Sequence, residues 1–349
     1  MPKKRLDYLD MAKGVGIFLV VLGHIEYLSE SAMRWIYSFH MPLFFVIGGI
    51  LAYQKEPESP YMLKAQWRRR AKGILIPYAS FSIMMLTMRV FELIFQPERI
   101  TGGELLRQLV EAITGYGIHT LWFLPTYFLS GILFSLLLFR LRGRTGKHWR
   151  TGLGVLLSAA LAIGLSKVFG VQEYTNRQES LLWYVGMDLL IVFLRVLAVQ
   201  PFFWFGWLYA RLREQGQTKG RLMILGLLLL LAGGYLSLYN PALDLHYLYL
   251  QPWHYVAAAA SSFGLLHLVR ALPVSRVLSY LGRNSLVIMC THAGMFVLYY
   301  VSLGMFFVRK LVPMADPVFY GSIAIMACVA EVPIIWICNR YFKYLLGRS

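Results

Sequence analysis

The chain has 349 residues, 58% of them hydrophobic, a mean hydropathy of +0.57 and a formal net charge of +17. Such an apolar composition excludes an ordinary water-soluble domain, whose surface needs more polar side chains. A bilayer is the expected solvent, so the positive charge, which in a soluble protein would suggest nucleic acid, is read by its position along the chain.

Runs able to cross about 30 Å of hydrocarbon at about 1.5 Å per helical residue are predicted at 11–28, 33–53, 72–95, 120–139, 152–169, 187–210, 221–239, 253–270, 284–303 and 317–339. The expected fold is all-α, a single polytopic transmembrane helix bundle of about ten spans covering residues 1–349. No segment remains for a soluble domain of normal size. Most of the 34 Lys and Arg residues fall on alternate connections, which places those connections, and with them both termini, in the cytoplasm. Nucleic acid is not needed to explain the charge. Residues 3–22 mimic a signal peptide, but polar His24 and Glu26 follow in place of a small-residue cleavage site, so they are read as a retained first span. Cys290, Cys328 and Cys338 all fall in predicted spans, are odd in number and lack metal-ligand spacing, so neither a disulfide framework nor a metal site is expected.

Ionisable groups inside a span are costly unless they face protein or water, and they are therefore the first functional candidates. In the first span, Lys13 and His24 are separated by about 1100° of helical turn, within about 20° of three full turns, so they share one stripe. Asp10 lies on the same face, and Glu26 points roughly the other way. About 16 Å of helix axis separates Lys13 from His24, which puts a cation at the inner mouth and an imidazole near mid-membrane. The second span carries His40 in FHMPLFF, and for this residue a helix-start hydrogen bond is the plainer reading. Gly48 and Gly49 there, with Gly14, Gly16 and Gly23 in the first span, allow close helix approach.

At the inner end of the third span, QWRRRAKGILIPY (66–78) holds Arg68, Arg69, Arg70 and Lys72. These are more cations than orientation alone requires, and guanidinium groups suit phosphate. Arg89 and Glu92 have the spacing of a local ion pair. The connection 96–119, with Glu98, Glu104 and Glu111, fits a short interfacial helix. Trp122 and Phe123 at the outer start of the fourth span fit the aromatic belt. Asp188 and Arg195 share a face of the sixth span, Asn284 reads as a helix start, His292 follows within the ninth span, and Glu331 in the tenth has no evident partner.

The stretches RLDYLDMAKGVGIFLVVLGH (5–24), FHMPLFFVIGGIL (39–51), IPY (76–78), LWFL (121–124) and LGRNSLVIMCTH (281–292), in this order and spacing, resemble acyltransferase family 3. Within these integral-membrane acyltransferases, they are most similar to the branch of the fucose 4-O-acetylases. The family's first-span signature is an Arg, ten residues and an essential His. Here Lys13 replaces the Arg, which keeps the charge and loses the planar fork, and His24 matches. The family's paired arginines at the third span correspond to Arg69 with Lys72.

The resemblance implies transfer of an acyl group, usually acetyl, from cytoplasmic acyl-CoA to a hydroxyl of a cell-envelope carbohydrate or glycolipid. No permanently bound cofactor is implied; acyl-CoA is a co-substrate, and membrane lipid is the remaining partner. His24 and Glu26 are the catalytic candidates, His24 acting as general base or as an acyl-histidine relay. Lys13, Arg68, Arg69, Arg70 and Lys72 are candidates for acyl-CoA, and Asp10, His40, Trp122, Asn284 and His292 for the substrate. A competing reading is a transporter or flippase for a lipid-linked or small anionic molecule, with Asp188, Arg195, His24 and Glu26 as a relay. A third is a non-catalytic membrane subunit.

Overall fold

Helix starts are written into the chain as side-chain caps. Ser59, Thr101, Ser180, Thr218 and Ser275 each accept a hydrogen bond from the backbone N–H three residues on, satisfying donors that the first helical turn leaves without a partner. The structure is a computed structural model that describes residues 6–25, 28–176, 180–212, 217–239 and 243–348. In chain order its helices are α1 (Asp7–Gly23), α2 (Glu30–Gln54), α3 (Pro60–Phe95), α4 (Gly102–Thr114), α5 (Phe123–Arg140), α6 (Lys147–Val168), α7 (Leu181–Ala198), α8 (Gln200–Leu212), α9 (Lys219–Leu238), α10 (Pro252–Ala271), α11 (Arg276–Arg283), α12 (Ser285–Thr291), α13 (Val297–Leu311) and α14 (Asp316–Tyr341). Short 3-10 turns cover His119–Trp122, Val171–Asn176 and Lys343–Leu346. Among the described residues the only strand-like pairing is the isolated bridge between Asp244 and Tyr249.

Among the described residues, seven stretches are long and apolar enough to cross a bilayer, where about ten spans are expected from the sequence. The expected span 284–303 is not one helix. α12 stops at Thr291, residues 292–296 turn, and Phe296 adopts a φ of 60° before α13 begins. Thr291 and His292 both bond back to carbonyls four residues earlier, Val287 and Ile288, and Gly294 follows; back-bonded Thr and interior Gly both weaken a helix. The run 187–210 begins earlier, at Leu181, and is interrupted at Val199 ahead of Pro201, whose ring cannot continue a hydrogen-bonded helix. α1 ends at Gly23, and α3 begins twelve residues ahead of the expected span, so the whole basic run lies on helix.

The chain divides into two compact units. One comprises residues 1–54, 202–243 and 250–335, and the other 55–201, 244–249 and 336–349. In the first, backbone-to-backbone contact is made at glycines. A Cβ on Gly14 would stand 2.0 Å from the Leu278 carbonyl oxygen, and one on Gly282 would stand 1.8 Å from that of Asp10, so α1 and α11 touch along their main chains. Gly49 and Gly206 do the same for α2 and α8, at 1.9 Å from the Phe203 carbonyl and 1.8 Å from that of Val46. Such small-residue contacts are how helices associate where lipid removes the hydrophobic drive between them.

In the second unit, α4 is the short helix expected within 96–119. Thr101 and Glu104 form a reciprocal cap at its start, and Gly115 closes it at φ 78°. Leu106, Leu109 and Ile113 are exposed on one stripe, an apolar face suited to the membrane interface.

Candidate active site

His24 follows the last residue of α1, where its Nδ1 lies 2.7 Å from the Val20 carbonyl. A carbonyl only accepts, so Nδ1 carries the proton and Nε2 the lone pair. His292, just after α12, repeats the device, with Nδ1 donating to the Ile288 carbonyl at 2.7 Å. The two rings meet edge to face, their centroids 5.0 Å apart and their planes at 78°. His292 is fully buried, and its Nε2 has no hydrogen-bond partner among the described residues.

The neighbouring Thr291 hydroxyl, besides its contact with the Val287 carbonyl, shares a 2.6 Å hydrogen bond with Glu331 of α14, while the other Glu331 carboxyl oxygen is buried without a partner among the described residues. The residue with no evident partner in the sequence thus anchors the short helix that carries His292. Only the fold could reveal this, because forty residues and an intervening helix separate the pair.

His40 is in the middle of α2, not at a helix start, and its Nδ1 donates to the Ile36 carbonyl at 2.8 Å. The Tyr37 ring stands 4.9 Å from it, and the Tyr37 hydroxyl reaches across to the Gly23 carbonyl beside His24. Asn284 is the joint between α11 and α12, its side-chain amide donating to the Tyr280 carbonyl at 2.9 Å. Lys13 bonds Asp10 at 3.2 Å, so part of its charge is neutralised within its own helix. Glu26 lies outside the described residues.

The remaining candidates belong to the other unit. Arg68, Arg69 and Lys72 are exposed along α3, whereas Arg70 is half-buried and donates to the Gly131 carbonyl at 2.7 Å. Trp122 is buried rather than placed in a lipid-facing belt. It stacks on His246 at 5.6 Å, and the Arg195 guanidinium lies 5.2 Å from its ring centre. Its approach requires a bare backbone at Gly117, where φ is 91° and a Cβ would stand 2.3 Å from the Trp122 main chain.

Around Trp122 is a polar cluster that the sequence disclosed only in part. Fully buried Arg195 donates to the Tyr116 carbonyl at 2.8 Å and twice to the His246 carbonyl. Fully buried Asp188 pairs not with Arg195 but with Arg107 of α4, and it also accepts from the Tyr174 and Thr114 hydroxyls. Burial, then the Arg195 and His119 charges, hold the His246 imidazole well below its ordinary range. The Arg89–Glu92 pair expected from spacing is formed at 2.6 Å. Among the described residues no group of His, Cys, Asp and Glu has the arrangement of a metal site.

The family model of an acyltransferase domain matches residues 6–337. Nodulation protein NolL from Mesorhizobium japonicum is 30% identical over 142 residues, which cover 37% of this chain and 35% of that protein. The match therefore spans about a third of the curated relative's length. No solved structure matches the chain.

Proposed function

This chain belongs to acyltransferase family 3, and from that premise we propose that it moves an acyl group, by preference acetyl, from cytoplasmic acyl-CoA to a hydroxyl of a cell-envelope carbohydrate or glycolipid. That the chain is a multi-pass membrane acyltransferase follows from the family match and the seven apolar stretches among the described residues. The observation that carries the finer reading is the His24 tautomer. With Nδ1–H committed to the Val20 carbonyl, Nε2 is the basic nitrogen of this ring. A sugar hydroxyl is a weak nucleophile near neutral pH, and a positioned imidazole serves as base or as acyl relay; general-base assistance typically contributes about 10²- to 10⁴-fold.

In this reading Lys13, Arg68, Arg69, Arg70 and Lys72 attract the phosphates of acyl-CoA from the cytoplasmic side, where both termini lie. Asp10, His40, Asn284 and His292 shape the place of the acceptor, Trp122 is a separate candidate contact for it, and Glu26 assists His24. The exposure of Arg68, Arg69 and Lys72 supports a role in first capture of an anion.

The test is acyl transfer by membranes containing the wild-type chain or His24→Ala, with acetyl-CoA labelled in the acetyl group. The mass of envelope glycans and lipids is followed in the same cells. Transfer that disappears in the variant while membrane insertion persists is the expected result. Full activity in the variant overturns the assignment of His24, and an unchanged envelope mass in cells without the gene overturns the acceptor class.

A further inference from the structure

We propose that His24 and His292 divide the reaction between them, His24 carrying the acyl group on Nε2 and His292 serving as the base that takes the proton of the attacking hydroxyl. This rests on the acyltransfer reading above and deepens it.

The division follows from what each ring can reach. His24 is only half-buried at the end of α1, so a thioester can approach its Nε2. His292 is fully buried, so no thioester reaches it, but its ring centre is 5.0 Å from that of His24. A proton acceptor need only reach atoms that lie on its neighbour. Both rings hold their Nδ1 protons on carbonyls of their own helices, so each Nε2 carries a lone pair. Two such acceptors cannot bond to each other, but they can flank a group that bears a hydrogen.

A buried acceptor left without a donor costs about 1–3 kcal/mol. The unsatisfied Nε2 of His292 is therefore a place where the working complex supplies an O–H. The local fold is built to hold it. α12 is pinned by the Thr291–Glu331 bond, and the chain leaves helical geometry right after it, with the Leu298 N–H turning back to the His292 carbonyl at 2.8 Å. Within a membrane protein, irregular backbone is found where it lines a site rather than where it faces lipid.

The steps balance. Nε2 of His24 attacks the thioester carbonyl, the C–S bond breaks, and the thiolate leaves, giving an acyl-imidazolium. The acceptor oxygen then attacks that carbonyl while His292 Nε2 takes its proton. The C–N bond breaks, neutral His24 returns, and the proton on His292 passes to the thiolate to give the free thiol.

The experiment uses the full chain in lipid nanodiscs with acetyl-CoA and two acceptors. Octyl glucoside offers a sugar hydroxyl that must lose a proton, and hydroxylamine attacks acyl groups near neutral pH without a base. His292→Asn keeps an N–H donor for the Ile288 carbonyl and His292→Gln reaches further, but neither has a basic nitrogen. Each is expected to lower transfer to octyl glucoside at least about 100-fold and transfer to hydroxylamine less than about threefold. His24→Ala is expected to abolish transfer to octyl glucoside and to leave hydroxylamine only the rate at which it attacks acetyl-CoA without protein. Equal loss with both acceptors, as a structural defect would give, or no loss with either, overturns the division. Hydroxylamine transfer that stays above this protein-free rate in His24→Ala removes the acyl carrier. A wild-type chain that acylates neither acceptor refutes the acyltransfer reading itself, a result distinct from the others.

Discussion

Arg107 closes on Asp188 with two nitrogens, 2.9 Å to Oδ2 and 2.7 Å to Oδ1, and so ties the amphipathic helix α4 to the buried face of α7. Asp188 is fully buried and Arg107 largely so, and the Tyr174 hydroxyl completes the shell. Removing one partner leaves the other charge stranded, which typically costs about 3–5 kcal/mol, whereas removing both costs less. Arg107→Met and Asp188→Leu are each expected to lower the thermal midpoint of the detergent-solubilised chain sharply, and the double variant is expected to recover part of the loss. Additive losses in the double variant would show that the pair is not the source.

His246 gives the second unit a pH limit. Burial and the neighbouring Arg195 keep its folded-state pKa well below the ordinary value. Above about pH 6.5 the ring is neutral both folded and unfolded, and the group contributes no pH dependence. As pH falls below that value, the unfolded chain takes up a proton that the folded chain refuses, so stability drops. Thermal midpoints measured from pH 8 to pH 5 are expected to fall at the acid end. They should fall less in His246→Gln, which keeps a planar polar side chain but does not titrate in this range.

The sequence is most informative where local chemistry decides structure. The Arg89–Glu92 pair and the small helix within 96–119 depend on residues three or four apart. The stripe joining Lys13 to His24, eleven residues apart, depends only on the helical period of one segment. What was not legible are the places where distant parts of the chain satisfy one another. The apolarity of 284–303 reads as a span, but the helix stops at Thr291, whose hydroxyl also meets Glu331 of α14, and His292 bonds back to its own helix. Asp188 and Arg195 share a helical face, yet their partners come from Arg107, Tyr116 and the 244–249 segment. Trp122 has the sequence position of a belt residue, and only the stacking of His246 and the bare backbone at Gly117 explain its burial. Apolar periodicity gives the direction of a side chain, not what meets it.

The basic run on α3 separates capture from structure. Arg68, Arg69 and Lys72 are exposed, while Arg70 is committed to the Gly131 carbonyl. Neutralising exposed cations removes long-range attraction for an anionic donor without opening the fold. Arg68→Gln, Arg69→Gln and Lys72→Gln together are expected to raise the KM for acetyl-CoA several-fold at low salt, with the thermal midpoint unchanged and the difference shrinking as salt is added. Arg70→Gln is expected to lower the midpoint as well. An unchanged KM in the triple variant would assign these charges to membrane orientation alone.

Gly14 and Gly282 control how α1 carries His24. Their absent side chains let α1 and α11 touch main chain to main chain, and α11 leads through Asn284 directly into α12 and His292. The same contact that packs the two helices therefore sets the spacing of the two imidazoles. A methyl at Gly282 would stand 1.8 Å from the Asp10 carbonyl oxygen, and backbone cannot move aside as a flexible side chain would. Overpacking of this kind costs about 1–3 kcal/mol. Gly282→Ala is expected to lower the thermal midpoint and to reduce acyl transfer by more than the lost stability explains, because the rings are pushed out of register. Gly73→Ala, on an α3 position with nothing within 4 Å of the added methyl, is the control. It is expected to hold or slightly raise stability and to leave transfer unchanged. Equal activity in the two variants, once corrected for the folded fraction, would mean that the α1–α11 contact does not set the geometry of the site.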